Sequence, residues 1–437
     1  MPTRAKVRMY RQGLGDCFLL SFPRNGKDPF FVVIDCGVIL GTADAATTMA
    51  KVVQDIFDTT KGHIDLFVCT HEHWDHNSGM IQARELWKKF QVDNVWVGWT
   101  EDPNDALAKQ LGDERLKMRN ALAAAANRMR LAGSSDAAEE VEGMLEFFGA
   151  TGGNLTAEAL AIAKGLSKNI RFCLPQDAPV TLDGTNVRVF VLGPPHDEKS
   201  IKKCNPSAKA PETYGIDGAS VYLDAVAASP GDDDPNAPFD DKFKIPMEVA
   251  KQLAFFQGGY WGEDADSVEK DQSWRRIDGS WLDASSSLAL QLDSATNNTS
   301  VVLAFELDRG DVMLFAADAQ VGNWLSWQAL SWSVGGKTVT GPDLLHRTIF
   351  YKVGHHGSHN ATLRELGLEE MTGLKYAFIS VDQQMAAKKH WGQMPFTALL
   401  MRLDEITNHC VVRIDQAVPN ALAKLAVSTT LYYEMTL

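Results

Sequence analysis

The sequence predicts a layered α/β fold, and three observations lead there. Short apolar runs recur along the chain: FFVVID (30–35), IDLFVC (64–69), NVWVGW (94–99), VMLFAAD (312–318), TIFYKV (348–353) and YAFISV (376–381). Runs of this length and composition read as buried strands. In the first hundred residues they alternate with helical spacing, as layered α/β proteins do. Finally, 45% apolar and 22% charged residues over 437 positions supply enough apolar side chains for a large core.

Element by element, residues 5–22 read as a strand, a glycine turn and a second strand, and 30–35 as a buried strand closed by Cys36 and Gly37. A helix is predicted over 44–58, a strand over 64–69, a helical stretch over 80–90 and a strand over 94–99. Residues 101–170 are rich in Ala, Leu and charge at helical spacing and predict a helical insertion. Strands return over 178–195, with Asp183–Gly184 as a hairpin turn. A mixed helix and loop insertion is predicted over 197–290, including a Pro/Gly/Asp-rich loop at 229–242 and a helix from 274. From 300 onward strands dominate, with a hairpin at Asp308–Asp311, and strands at 410–414 and 425–437 close the chain. These shifts read as insertions into one domain spanning 1–437, since no repeat of 20–50 residues appears.

No apolar run approaches the roughly 20 residues that span a bilayer. The N-terminal MPTRAKVRMYRQ has no apolar segment of the signal-peptide kind. Cysteines at 17, 36, 69, 173, 204 and 410 show no CxxC pair, which suits reduced, packed thiols and a cytoplasmic setting. The net charge of −14 leaves no global footprint for long nucleic acids, whose backbones are bound through Lys and Arg. No membrane partner is expected, and a nucleic-acid partner would need a local basic groove.

The densest chemistry lies in THEHWDHNSG (70–79), which follows a strand directly. Imidazole and carboxylate suit zinc, manganese or iron, and ligands on a strand-anchored loop can be held at about 2.0–2.2 Å from an ion. His71 and His73, two apart, can aim one way, and Asp75 and His76, adjacent on a bend, another. The zincin pattern HExxH fails, because Asp75 stands where its second histidine would be. A structural zinc site lacks thiolates at finger spacing. A solvated polar loop remains the bland alternative.

HEHWDH resembles HxHxDH, the signature of the metallo-β-lactamase-fold hydrolases. FFVVIDCG is similar to that family's first motif, VMLFAAD to the strand presenting a bridging carboxylate, and YKVGHHGS to the strand presenting the last histidine. RQGLGDCFLL, NNTSVVLAFEL and GHHGS further resemble the hydrolase domain of competence-type DNA-uptake proteins and their stand-alone relatives. The resemblance implies a four-layer αββα sandwich and two divalent ions, zinc first and manganese as the alternative. It implies His71 and His73 on one ion, Asp75 and His76 on the other, and Asp318 bridging both. Asp35 would orient the histidine loop by hydrogen bonds. His355 and His356 compete for the last ligand position, with His356 favoured because Gly357 follows it. The family often adds a histidine between the first cluster and the bridging Asp; here only His196 is available, and competence-type relatives often lack that ligand. Asn297, Asn298 and Ser300 either line the site or form a turn into a strand.

The resemblance implies hydrolysis by a metal-bridging hydroxide, with Asp75 or a residue behind the ligands steering a proton and His355 or His359 donating one to the leaving group. A phosphodiester is the favoured substrate, which makes the chain a phosphodiesterase or nuclease acting on nucleic acid or a small nucleotide. The alternatives are a carbon ester, thioester or lactone hydrolase, and a non-catalytic metal-binding interaction protein. His63, His346, His390 and His409 read as surface or connecting residues.

Overall fold

The computed structural model describes residues 5–24, 26–131, 155–204, 207, 212–213, 245, 247–250, 252–257, 260, 292–389 and 394–437. The predicted 229–242 loop, nearly all of the helix predicted from 274, residues 132–154 of the first insertion and His390 lie outside them.

The protein is mixed α/β. The first sheet takes β1 (Lys6–Tyr10), β2 (Cys17–Arg24), β3 (Lys27–Cys36), β4 (His63–Val68), β5 (Gln91–Gly98) and β6 (Ile170–Cys173). The second takes β7 (Val180–Thr181), β8 (Arg188–Gly193), β9 (Val302–Glu306) and β10 (Val312–Phe315). A small hairpin, β11 (Ser331–Val334) and β12 (Lys337–Thr340), interrupts before β13 (Thr348–Lys352), β14 (Tyr376–Ile379) and β15 (Val411–Arg413) complete that second sheet. The last strands, β16 (Ala426–Ser428) and β17 (Tyr432–Thr436), return to the first sheet, where β17 pairs antiparallel with β1.

The orders are β16-β17-β1-β2-β3-β4-β5-β6 and β15-β14-β13-β10-β9-β8-β7. Each sheet contains a parallel block: β3 to β6 in the first, and β10, β13, β14 and β15 in the second. In such blocks ligand crevices form outside the carboxyl ends of the strands.

Strand alternation explains the apolar runs. Phe18, Leu20, Val32 and Ile34 join Leu303, Phe305, Met313 and Phe315 in one buried cluster drawn from both sheets. The opposite faces of β2 and β3, through Leu19, Phe31 and Val33, pack with Val52, Val53 and Ile56 of helix α1 (Ala45–Thr60). On the second sheet Val302, Ala304, Leu314 and Tyr351 pack with Trp324, Trp327 and Leu345. Strands buried on both faces lose the polar half of the alternation and read as continuous apolar stretches.

One predicted element changes on folding. The helical stretch at 80–90 is broken into short helices, Gly79–Gln82 and Arg84–Trp87, because Ala83 leaves helical geometry at φ −118. The insertion after 101 contributes one long helix, Ala106–Leu131, and a shorter one, Leu155–Lys164. All six cysteines are free; Cys36 and Cys69 are fully packed at strand ends, as their apolar neighbours suggested. Among the described residues no helix is long and apolar enough to cross a membrane.

Candidate metal centre

The quoted histidine turn leaves the end of β4 and packs backbone-on-backbone against the β3 end. A Cβ on Gly37 would lie 2.5 Å from the carbonyl carbon and oxygen of Asp75, so only glycine lets the two segments approach. Four non-glycine residues at these strand ends have left-handed backbone: Asp35 (φ 55), Ala317 (φ 47), His355 (φ 42) and His356 (φ 52). Each costs on the order of 1–3 kcal/mol and persists only where its surroundings over-determine it. Their gathering around one cleft makes it the candidate site.

Three stretches far apart in sequence meet here. Ligand-type atoms of Asp75, His76, Asp318 and His356 all lie within 4.8 Å of one another, and all four residues are buried. His76 Nε2 is 3.1 Å from Asp318 Oδ2 and 3.7 Å from Asp75 Oδ2. His356 Nε2 is 3.0 Å from Asp75 Oδ2 and 3.6 Å from Asp318 Oδ2. Beside them His71 Nε2 and His73 Nδ1 face each other at 3.1 Å. Two nitrogens on one tetrahedral zinc at about 2.0–2.1 Å would stand about 3.3–3.4 Å apart, close to the separation found.

The nitrogen that faces away from the cleft is held in three of the rings, those of His76, His356 and His71. Asp35 Oδ2 accepts from His76 Nδ1 at 2.8 Å, and the Ser380 carbonyl accepts from His356 Nδ1 at 2.8 Å. His71 Nδ1 lies 3.1 Å from Thr70 Oγ1, whose hydroxyl donates to Asp35 Oδ2 at 2.6 Å, and 3.2 Å from Ser300 Oγ. Such partners fix tautomer and ring orientation. Asp35 thus ties the Thr70 backbone and His76 to one carboxylate.

Electrostatics divide the cluster. Burial opposes charge on His76, but Asp318, Asp75, Asp35 and Asp16 outweigh it and hold that imidazole well above its ordinary range. Burial likewise opposes charge on His356, yet Asp318 leads its neighbours in raising it. Desolvation instead dominates His71, pushed well down, and His73, pushed down to about 3. Burial works against an ionised Asp318, but His76, His356 and Lys352 carry it well below the usual carboxylate range.

Several site residues carried no signal of their own in the sequence. Lys352, fully buried on β13, contacts Asp16 and lies 3.4 Å from Asp318 Oδ1, so one oxygen of Asp318 is already engaged. Asp16 follows the β1–β2 turn and also accepts from the Ser380 hydroxyl. Asp293, buried in the short helical turn 292–297, has Oδ1 3.8 Å from His73 Nε2. Burial, then Asp75 and Asp318, push its carboxyl well up.

The other predicted residues are placed as follows. His355 turns to Asn297 Nδ2, which donates to its Nε2 at 3.3 Å, while its Nδ1 meets Ser358 Oγ at 2.8 Å. Desolvation lowers it to about 4, so it is neutral with its N–H engaged. His359 is exposed, with its ring edge-on to Phe396. His196 does not join the cluster: its side chain is 36% exposed, packs on Trp99 and pairs with Asp105 at 2.7 Å. Ser300 reaches His71, whereas Asn298 knits backbone, donating to the Ser200, Ile201 and Lys203 carbonyls. His63, His346 and His409 sit toward the surface against Asp93, Glu370 and Asp404.

The donor set fits divalent cations. Asp75 Oδ1 is buried and accepts no hydrogen bond. Asp16 and Asp318 meet the Lys352 ammonium, and Asp35, Asp75 and Asp318 meet the imidazoles of His76 or His356, all buried. Buried charge of one sign costs several kcal/mol per ion unless a counter-charge joins it. No protein-family model matches the chain, and no curated protein matches its sequence.

Proposed function

We propose that the chain is a metal-dependent hydrolase with a four-layer αββα sandwich of the metallo-β-lactamase kind, acting on a phosphodiester in a nucleotide or nucleic acid. The observation that carries this reading is the convergence of Asp75, His76, Asp318 and His356 from separate strand ends to within 4.8 Å. The layering is supported by three apolar clusters, one shared by both sheets and one on the outer face of each. A cytoplasmic setting accords with six unpaired cysteines.

His71 Nε2, His73 Nδ1 and Asp318 would hold one ion, and Asp75, His76 Nε2, His356 Nε2 and Asp318 the other, with zinc or manganese as the ions these donors suit. Divalent ions there would lower the pKa of a water toward neutrality and stabilise charge on a substrate oxygen. The chain's own part is orientation. Asp35, Thr70 and Ser380 aim the imidazoles, and Lys352 pins Asp318 so that its Oδ2 faces both His76 and His356. Asp75 Oδ1, which accepts no hydrogen bond from the described residues, would accept a proton. His355 spends its N–H on Ser358, so a leaving group would take its proton from His359 or solvent.

The test is hydrolysis of bis-p-nitrophenyl phosphate by protein loaded with zinc or manganese, beside a lactone and a thioester. Turnover of the phosphodiester that chelation abolishes and His73→Ala removes, with the fold retained by circular dichroism, supports the proposal. Turnover confined to the lactone or thioester replaces the substrate class. Bound metal without turnover of any of the three returns the chain to a binding role.

A further inference from the structure

The ring nitrogens facing away from the cleft pose a question that the histidine motif leaves open. His76, His356 and His71 have theirs held by Asp35, Ser380 and the Thr70–Ser300 hydroxyls. His73 presents Nδ1 to His71, so its Nε2 points out of the other side of the ring. One imidazole cannot bind one ion through both nitrogens. Whatever meets His73 Nε2 therefore decides whether Nδ1 carries a lone pair or a proton.

Asp293 is the carboxylate on that side. It is 8% exposed, its Oδ1 stands 3.8 Å from His73 Nε2, and that oxygen accepts no hydrogen bond despite being buried. Its other oxygen is anchored by the amide of Asn297, one helical turn on, at 3.0 Å. The same amide reaches His355 Nε2 at 3.3 Å. The helical turn 292–297 thus spans the two histidine loops, with its one carboxylate against His73. A buried carboxyl oxygen without a hydrogen-bond partner is costly whether or not the group is ionised. A modest closure of the 3.8 Å gap would satisfy it with the His73 Nε2 proton.

We propose that Asp293 is a positioning residue for the metal centre: it accepts the Nε2 proton of His73 and so presents Nδ1, with its lone pair, to the ion shared with His71. This inference rests on the metal centre proposed above. It assigns Asp293 no contact with the ion, because the ring of His73 stands between them.

The experiment compares wild type, Asp293→Ala and Asp293→Asn by zinc titration calorimetry, with metal counted by plasma mass spectrometry. Histidine tautomers are read by long-range 1H–15N spectra of the 15N-histidine-labelled, metal-free protein. In wild type, His73 is expected as the Nε2–H tautomer before any metal is added. Loss of the partner should weaken one of two zinc steps by about 10–100-fold and leave the other, at Asp75, His76 and His356, unchanged. Asp293→Asn, which keeps the shape and an acceptor oxygen, should fall between; it also serves if the alanine variant does not fold. Equal zinc affinities in all three proteins, or a parallel loss of both steps with lowered metal-free melting temperature, would overturn the role. A wild type that binds no zinc refutes the metal centre, and the tautomer still decides Asp293: Nδ1–H on His73 in wild type, or Nε2–H unchanged in Asp293→Ala, overturns it independently.

Discussion

The two halves of the centre are built differently. On one side Asp75, His76, Asp318 and His356 form a charged group, in which carboxylates pull both imidazoles toward the protonated state. On the other, His71 and His73 are desolvated imidazoles, neutral at pH 7, facing each other with Asp293 behind. Both leave a strand end, both are buried, and both are ligand-like in sequence. The difference teaches that spacing alone does not rank ion sites: the count of carboxylates within reach does. A divalent ion entering the carboxylate-rich half would replace protons that offset charge there, whereas the histidine pair would offer less electrostatic attraction.

In the proposed centre Asp318 would serve both halves, and its loss should have the largest effect. Asp318→Ala is expected to empty the histidine pair and weaken the carboxylate-rich half, lowering hydrolysis by about 10³-fold, or about 4 kcal/mol of transition-state stabilisation. Metal counting beside kinetics checks it; two retained ions with near wild-type turnover would remove Asp318 from the centre. Graded chelation separates the halves next. The ion at His71 and His73 should leave first, followed by the one at Asp75, His76 and His356. Each departure should lower the melting temperature, since zinc held at 100 times its dissociation constant stabilises by about 2.7 kcal/mol. Simultaneous loss would mean the halves act as one unit. A smaller effect is expected from Asp35→Asn, which keeps the shape but weakens the hold on Thr70 and His76. The expected cost is about 10–100-fold in metal affinity, greater in the carboxylate-rich half, and calorimetry resolves which step moves.

How much of this was legible in the sequence depends on what each residue needed to be seen. The strands were legible because burial on both faces leaves unbroken apolar runs such as FFVVID, and the turn at 70–79 because its ligands lie within one loop. The return of β17 to β1 was not legible: LYYEMTL reads as a strand, but nothing local says which sheet it joins. The break at Ala83 was hidden because alanine is the best helix former. Lys352 lies within TIFYKV, a run that reads as a buried strand without saying what its ammonium meets; only the fold brings Asp16 and Asp318 to it. Asp293 sat just past the stretch read as an insertion (197–290), with no ligand spacing around it. The left-handed backbone at Asp35, Ala317, His355 and His356 leaves no mark, since none is glycine.

His196 gives the comparison its sharpest control and the smallest expected effect. Like His71 and His356 it follows a strand, and by sequence it is the sole histidine between the motif and Asp318. Its surroundings are those of a surface residue: 36% side-chain exposure, an ion pair with Asp105 and a packed face on Trp99. Exposed pairs of this kind contribute about 0–1 kcal/mol. His196→Ala should therefore change stability by no more than about 1 kcal/mol and leave both zinc steps and the hydrolysis rate at wild-type values. If instead it removed one ion, the loop at 194–197 would have to swing inward on binding metal. The histidine pair would then gain a third nitrogen, and the contrast drawn between the two halves would shrink to the count of carboxylates alone.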